Sequence, residues 1–149
     1  MARLTTPITR RGAFVDLSIG ISLERENALR KRNRAIPPRI IGKALIDTGA
    51  SRTSIDAEVL KALQLAPTGA GLVHTGSTAG KAHPCNLFDV SLIIPSSERD
   101  FVRSTVVVME INLSRQGQSF SALVGRDILD SCVLVYDGPG QIAMLEFRS

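Results

Sequence analysis

Apolar and polar residues alternate along several stretches of the chain, and this pattern predicts a protein built mostly from β-strands. In Val15–Leu23 every second residue is apolar, as in a strand with one buried face. Phe88–Ile94 repeats the alternation, and Phe101–Met109 is a further strand candidate. Two apolar segments, Val133–Tyr136 and Ile142–Phe147, flank a turn rich in Gly and Pro near the C-terminus.

Helical signals are confined to two short segments. Asp56–Leu65 begins with a good N-cap residue, and Pro67 ends it. Arg126–Leu129 predicts a single helical turn. Many short strands with one or two short helices predict a small closed or sandwich-like β domain, and the length of 149 residues fits one domain over 1–149.

Composition excludes several classes of protein. No run approaches the ~18 consecutive apolar residues of a membrane span, and the basic N-terminus argues against a secretory signal. The two cysteines form no C-x-x-C pair, which argues against a disulfide scaffold and fits a reducing, cytoplasmic location. With no Trp, one Tyr and five Phe, the chain has few rings on which bases could stack, so we expect no nucleic-acid partner.

The basic charge is concentrated in one segment. The chain has 18 Lys and Arg against 14 Asp and Glu, a net charge of +4. Glu24–Arg39 contains six of the basic and two of the acidic residues, so the remainder is neutral at 12 against 12. One interpretation is a loop that binds phosphate or an acidic partner, and the other, which we favour, is a mobile surface insert over Glu24–Pro38.

Candidate chemistry lies where the apolar strand Arg39–Ile46 ends, because that strand leads directly into Asp47, Thr48 and Gly49. A carboxylate shielded from water can have its ionisation tuned, and a Thr hydroxyl can lock a loop through hydrogen bonds. Glycine lets a substrate backbone come close. An Asx-type turn after a strand would carry the same residues, so the motif alone leaves both interpretations open.

The order of motifs along the chain is more specific. Asp47-Thr48-Gly49-Ala50 follows two apolar residues; a helix, a Gly-rich segment and strands come next, and then Leu123-Val124-Gly125-Arg126 precedes the last predicted helix. This arrangement resembles the retroviral-type (retropepsin-like) aspartic proteases, from about Arg39 to the C-terminus. The resemblance implies a closed acid-protease-type β barrel that acts as a homodimer.

The resemblance also implies roles for the residues of the motif. Asp47 would be catalytic, with the same residue of a second chain as its twin, because this chain has no second Asp-Thr-Gly or Asp-Ser-Gly. Two carboxyls about 3 Å apart share one proton, so one activates a water and the other hydrogen-bonds the peptide carbonyl. Thr48 would bond across the dimer, and Gly49 would line the substrate in the active-site loop that Ala50 completes.

Further segments acquire expected roles by the same resemblance. Val73–Ala82 would be a flap that closes over the substrate. Gly125, Arg126 and Asp127 would support the active-site loop, and Ile142–Phe147 would join the dimer interface as strands. The candidate flap residues are His74, Thr75, Gly76, Ser77, Thr78, Ala79 and Gly80.

The chain departs from the family beside the motif. The family has an acidic residue at the position of Ser51, and that residue pairs with the helix arginine. Here Arg52 comes next, so we predict a reversed ion pair between Arg52 and Asp127. The flap segment also lacks the family's Gly-Gly-apolar-Gly-Gly tip, which leaves substrate preference open.

Other chemistries have weaker support. The cramped His-x-Cys spacing of His83 and Cys85, with His74 and Cys132 far away in sequence, does not predict a metal site, and we expect no cofactor. We therefore predict an aspartic endopeptidase acting on peptides or proteins. The alternative is a non-catalytic module of the same fold that binds a peptide or protein, or nucleic acid through its basic segment.

Overall fold

The computed structural model describes residues 2–73 and 83–148. In that part of the chain, three α-helices and a 3-10 turn at Ser114–Gln116 connect ten strands. The helices are α1 Leu23–Lys31, α2 Ala57–Ala62 and α3 Arg126–Leu129. The strands are β1 Ala2–Thr9, β2 Gly12–Ile21, β3 Ile40–Ile46, β4 Ser54–Asp56, β5 Gly69–Val73, β6 His83–Ile94, β7 Phe101–Ile111, β8 Ala122–Val124, β9 Cys132–Asp137 and β10 Ile142–Phe147.

Six of these strands form a closed barrel in the order β2–β3–β8–β4–β7–β6, because β6 also pairs with β2. Closure leaves these six strands paired on both sides, and their inward-facing side chains fill the barrel. This confirms the predicted mostly β, acid-protease-type barrel, with three described helices instead of one or two. The side chains at the centre include Leu17, Ile19, Ile55, Leu92 and Val108.

Two parallel strands of the barrel end side by side and position the candidate site. β3 pairs with β8 in parallel, with Ile46 opposite Val124. Because parallel strands run in the same direction, the residues that follow them, Asp47 and Gly125, leave the sheet at the same end. The motif after β3 and the motif after β8 therefore meet in space, although Thr48 and Arg126 are 78 positions apart in the sequence.

A second, three-stranded layer joins the two ends of the chain in the order β1–β10–β9. Leu145 and Phe147 of β10 are buried, and the Phe147 ring stacks on Phe101 at 4.6 Å. Both edges of β10 are occupied by strands of the same chain, whereas β9 ends the sheet. The role predicted for Ile142–Phe147 in a dimer interface stays a prediction.

The expectation of a mobile loop over Glu24–Pro38 was wrong for its first half, which is helix α1. Ser22 caps this helix by accepting a hydrogen bond from the Arg25 amide at 3.2 Å, and Glu26 pairs with Arg30 one turn later. Leu29 is the one buried residue of the helix. The sequence has no apolar stripe to reveal α1, since a single leucine anchors it.

Candidate active site

Asp47 stands at the end of β3 with its backbone fixed and its carboxylate nearly unbonded. Its amide donates to the Val124 carbonyl at 2.9 Å, and its carbonyl accepts from the Ala50 amide at 3.2 Å. One carboxylate oxygen accepts a hydrogen bond from the Gly49 amide at 3.0 Å, and no other described group bonds this side chain. The carboxylate is half-buried and free to bond a water or a ligand.

Gly49 contributes its small size to this geometry. A Cβ atom at this position would lie 3.2 Å from Oδ1 of Asp47, closer than such contacts normally are. Alanine here would therefore crowd the carboxylate, whereas glycine leaves it in place and keeps the surface of the loop open.

Hydrogen bonds from Arg126, the first residue of helix α3, join this helix to the active-site loop. The Arg126 amide donates to the Ala50 carbonyl at 2.8 Å, and the Arg126 guanidinium donates to the Thr48 carbonyl at 2.7 Å. A Cβ atom on Gly125 would lie 2.7 Å from the Arg52 carbonyl carbon, so only glycine allows this close approach. Gly125 and Arg126, two of the three residues expected to support the loop, are therefore next to it, and their supporting role and the cross-dimer role of Thr48 remain predictions.

The predicted ion pair between Arg52 and Asp127 was wrong: none joins these residues in the part of the chain described. The Asp127 carboxylate accepts from the Thr53 amide at 3.0 Å, the Thr53 hydroxyl at 2.7 Å and the Ile128 amide at 2.9 Å. A backbone amide and a short hydroxyl already fill the positions that a guanidinium would need. Arg126 accordingly bonds a backbone carbonyl instead of a side-chain carboxylate.

Thr53 is the site residue that the sequence analysis missed. It is completely buried, and its hydroxyl also accepts from the Gly125 amide at 3.1 Å. Thr53 therefore joins the end of the active-site loop to the start of α3. The sequence carries no signal for this role, because a threonine before a short strand is common for its β-propensity alone.

Asp56 has a different role from the one predicted. It precedes α2, but its side chain makes no capping bond to that helix. The buried carboxylate instead accepts from the amides of Leu113 and Ser114, at 3.0 and 3.2 Å, and from the Ser114 hydroxyl. Asp56 thus fixes the beginning of the connection between β7 and β8, a contact between residues 57 positions apart.

Phe14, on the strand that pairs with β3, contacts the ring of Phe120, which precedes β8. Phe14 of β2 pairs with Leu45, two residues before Asp47, and its ring centroid is 5.2 Å from that of Phe120. Arg11, in the turn between β1 and β2, bonds Gln118 and lies 5.9 Å from the Phe120 ring. The β1–β2 turn and the β7–β8 connection are thereby joined beside the active-site loop.

The predicted flap residues, His74 to Gly80, lie outside the described residues. The strands that lead to them pair antiparallel, with Leu72 opposite Pro84. In the described ranges, no cluster of three His, Cys, Asp or Glu side chains is arranged to hold a metal ion. Cys132 is the first residue of β9, shortly after the end of α3, and burial raises the pKa of its thiol to about 11.

No helix in the described part of the chain has both the length and the apolar character needed to cross a membrane.

The barrel, with a carboxylate loop after one strand and a glycine–arginine motif after its parallel neighbour, defines the fold as acid-protease-like. By structure, the chain is similar to a retropepsin-like aspartic protease from Rickettsia conorii, with a TM-score of 0.56 and 14% sequence identity. The match covers 96% of this chain and 89% of that protein. At this identity the likeness shows the fold alone. No family model and no curated protein sequence matches the chain.

Proposed function

We propose that the chain is an aspartic endopeptidase whose active site contains two copies of Asp47, one from each subunit of a homodimer. The observation that carries this proposal is the state of the Asp47 carboxylate. It lies at the end of the barrel strand β3, in a loop held by Arg126, yet it accepts only one described hydrogen bond. This arrangement fixes the position of the carboxylate and leaves its lone pairs available.

The chemistry follows from two carboxyls that share one proton. The ionised carboxylate takes a proton from a water, and the water oxygen bonds the carbon of the peptide carbonyl. The protonated partner donates its hydrogen bond, and then its proton, to the carbonyl oxygen. The carbon–nitrogen bond breaks when the amide nitrogen receives a proton from the dyad and one hydroxyl of the tetrahedral intermediate returns its proton to the dyad, which leaves a carboxylic acid, a free amine and the dyad with its single proton.

A second copy is required because one carboxyl cannot act as acid and base at once. Both copies of Asp47 would face each other across a two-fold axis, which makes the contact surface the same on each subunit. The β9–β10 hairpin offers a surface for this contact, since β9 ends its sheet and Val135, Tyr136 and Ile142 are exposed. An unpaired strand edge with apolar side chains favours association.

The surroundings of Asp47 favour a peptide as substrate. The Phe14–Phe120 pair provides an apolar surface next to the loop, and Gly49 leaves room for an extended backbone. A peptide that places an apolar side chain on the two rings would bring its carbonyl toward the carboxylates.

Incubation with a mixed peptide library from acid to neutral pH, followed by mass spectrometry of the products, tests this proposal. The wild-type protein should cleave internal peptide bonds, and Asp47→Asn should lose about 10²–10⁴-fold in rate, as expected when general acid–base catalysis is removed. Asp100→Asn, an exposed residue outside the site, is the matched control and should keep full activity.

Cleavage by Asp47→Asn at the wild-type rate would refute the mechanism. Peptide binding by both proteins, with no cleavage by either, would instead support the non-catalytic module.

A further inference from the structure

Helix α1 and the residues after it present basic side chains, several of which have no ion-pair partner among the residues that the structure describes. Among the described residues, Arg30 pairs with Glu26 at 2.9 Å, and Arg39 bonds the hydroxyls of Ser18 and Ser91. Arg39 is thus part of the barrel wall. Four exposed cations have no ion-pair partner in the described chain: Arg25, Lys31, Arg32 and Arg34.

Two of these cations stand at a cavity with an apolar floor. The cavity, of about 320 Å³, lies between α1 and the end of α2. Arg25 and Arg34 contribute to its rim. The floor is formed by the apolar residues Ile21, Leu29, Pro37 and Leu63.

We propose that this cavity binds an acidic peptide segment that carries one aliphatic side chain. The aliphatic side chain would occupy the apolar floor, and flanking carboxylates would pair with the guanidinium groups of Arg25 and Arg34. Guanidinium–carboxylate pairs are short and directional, so two of them fix both the position and the direction of the peptide. The proposal does not depend on catalysis at Asp47.

Other polyanions fit this surface less well. A nucleic acid would pair with the cations but would leave the apolar floor empty, and no aromatic ring lines the cavity for a base to stack on. A membrane surface would require several exposed apolar side chains beside the cations, and on α1 only Leu23 is of that kind. An acidic peptide uses both the charge and the cavity.

Fluorescence anisotropy with a labelled Glu-Asp-Leu-Glu-Asp peptide tests the inference. The protein carries Asp47→Asn throughout, so that cleavage cannot consume the peptide. Binding should weaken with added salt. Replacing the acidic residues by Gln and Asn, or the leucine by glycine, should each weaken binding by about tenfold, since an ion pair or an anchor is lost.

Two protein variants separate charge from cavity. Arg25→Glu with Arg34→Glu should weaken binding by about tenfold or more, whereas Arg10→Glu with Arg99→Glu, which changes the net charge equally elsewhere, should change it less than about twofold. Ala35→Trp, at an exposed residue that lines the cavity, should block the leucine and weaken binding without changing the charge.

Three results would overturn the inference. Equal effects of the two charge-reversal variants would mean that binding is non-specific. Unchanged affinity in Ala35→Trp, or with the glycine peptide, would mean that the cavity is not used. Tighter binding of a single-stranded oligonucleotide or of phosphatidylserine vesicles, lost in the Arg25/Arg34 variant, would assign the surface to that partner.

Discussion

Asp47 and Asp127 follow neighbouring strands of one barrel, yet their carboxylates accept different numbers of hydrogen bonds from the protein. Asp127 accepts from three donors, two of them on Thr53. Among the described residues, Asp47 accepts from a single backbone amide. Asp56, near the end of the next strand, resembles Asp127, with three donors from Leu113 and Ser114.

The difference indicates which carboxylate is available for chemistry. A carboxylate with three donors has most of its lone pairs committed to the protein, so it ties segments together and cannot easily bond a water or a substrate. A carboxylate with one donor, held on a rigid backbone, keeps that capacity. The number of hydrogen-bond donors therefore distinguishes Asp47, the candidate catalytic residue, from Asp56 and Asp127 more clearly than position in the sequence does.

The largest effect on stability should come from removing the Asp127 carboxylate. Asp127→Ala leaves the Thr53 amide and hydroxyl without their acceptor, and should lower the free energy of unfolding by about 3 kcal/mol. Asp47→Asn, the comparison, should change it by less than about 0.5 kcal/mol. Urea unfolding of both variants at the same pH measures the difference.

Equal losses in the two variants would contradict the distinction between them. Asp127→Asn is an informative intermediate, because its amide oxygen still accepts from one Thr53 donor and should recover part of the loss.

Asp56→Ala should have a somewhat smaller effect, about 2 kcal/mol, because it leaves the amides of the buried Leu113 and of Ser114 without an acceptor. Amide hydrogen exchange should accelerate at Leu113 and Ser114 more than in β10. Uniform acceleration along the chain would show that Asp56 stabilises the whole fold and not the β7–β8 connection.

Arg126→Ala should cost less, about 1 kcal/mol, since its bond to the Thr48 carbonyl is exposed. The rate of peptide cleavage should fall by more than a loss of about 1 kcal/mol in stability would explain, because the loop that carries Asp47 loses its hydrogen bond to Arg126. A variant with reduced stability and unchanged kcat would show that Arg126 does not position the loop.

The smallest expected effect is a loss of stability at alkaline pH. Burial raises the pKa of Cys132 to about 11, above its ordinary value of 9.0. As the pH rises, the thiol ionises in the unfolded chain before it ionises in the folded protein, which favours unfolding. The contribution of the neutral thiol to the free energy of unfolding is therefore complete below about pH 9 and is lost toward pH 11. Cys132→Ala should unfold with a weaker pH dependence over that range, and identical profiles would contradict the assignment.

The sequence predicted the fold through features that are local and repeated. The alternation of apolar and polar residues in β2 and the run of apolar residues in β3 indicate strands whatever their neighbours in the fold are. Gly125 indicates a position where two backbone segments come close. The partners of Asp127 and Asp56 could not be predicted, because Thr53 and Leu113 reach them through tertiary contacts. Helix α1 was not predicted because Leu29 is its one buried residue, so the sequence shows no apolar stripe there and only the cap at Ser22 marks the helix.

Mixing wild-type protein with Asp47→Asn tests the shared active site most directly. At fixed total concentration, equal amounts of freely exchanging subunits leave about one quarter of the dimers with two intact carboxyls, since subunits of a symmetric dimer combine at random. If the active site is shared, peptide cleavage falls to about one quarter of the wild-type rate, against about one half when an inert protein replaces the variant. A fall to one half in both mixtures would show that each chain works with its own Asp47 alone.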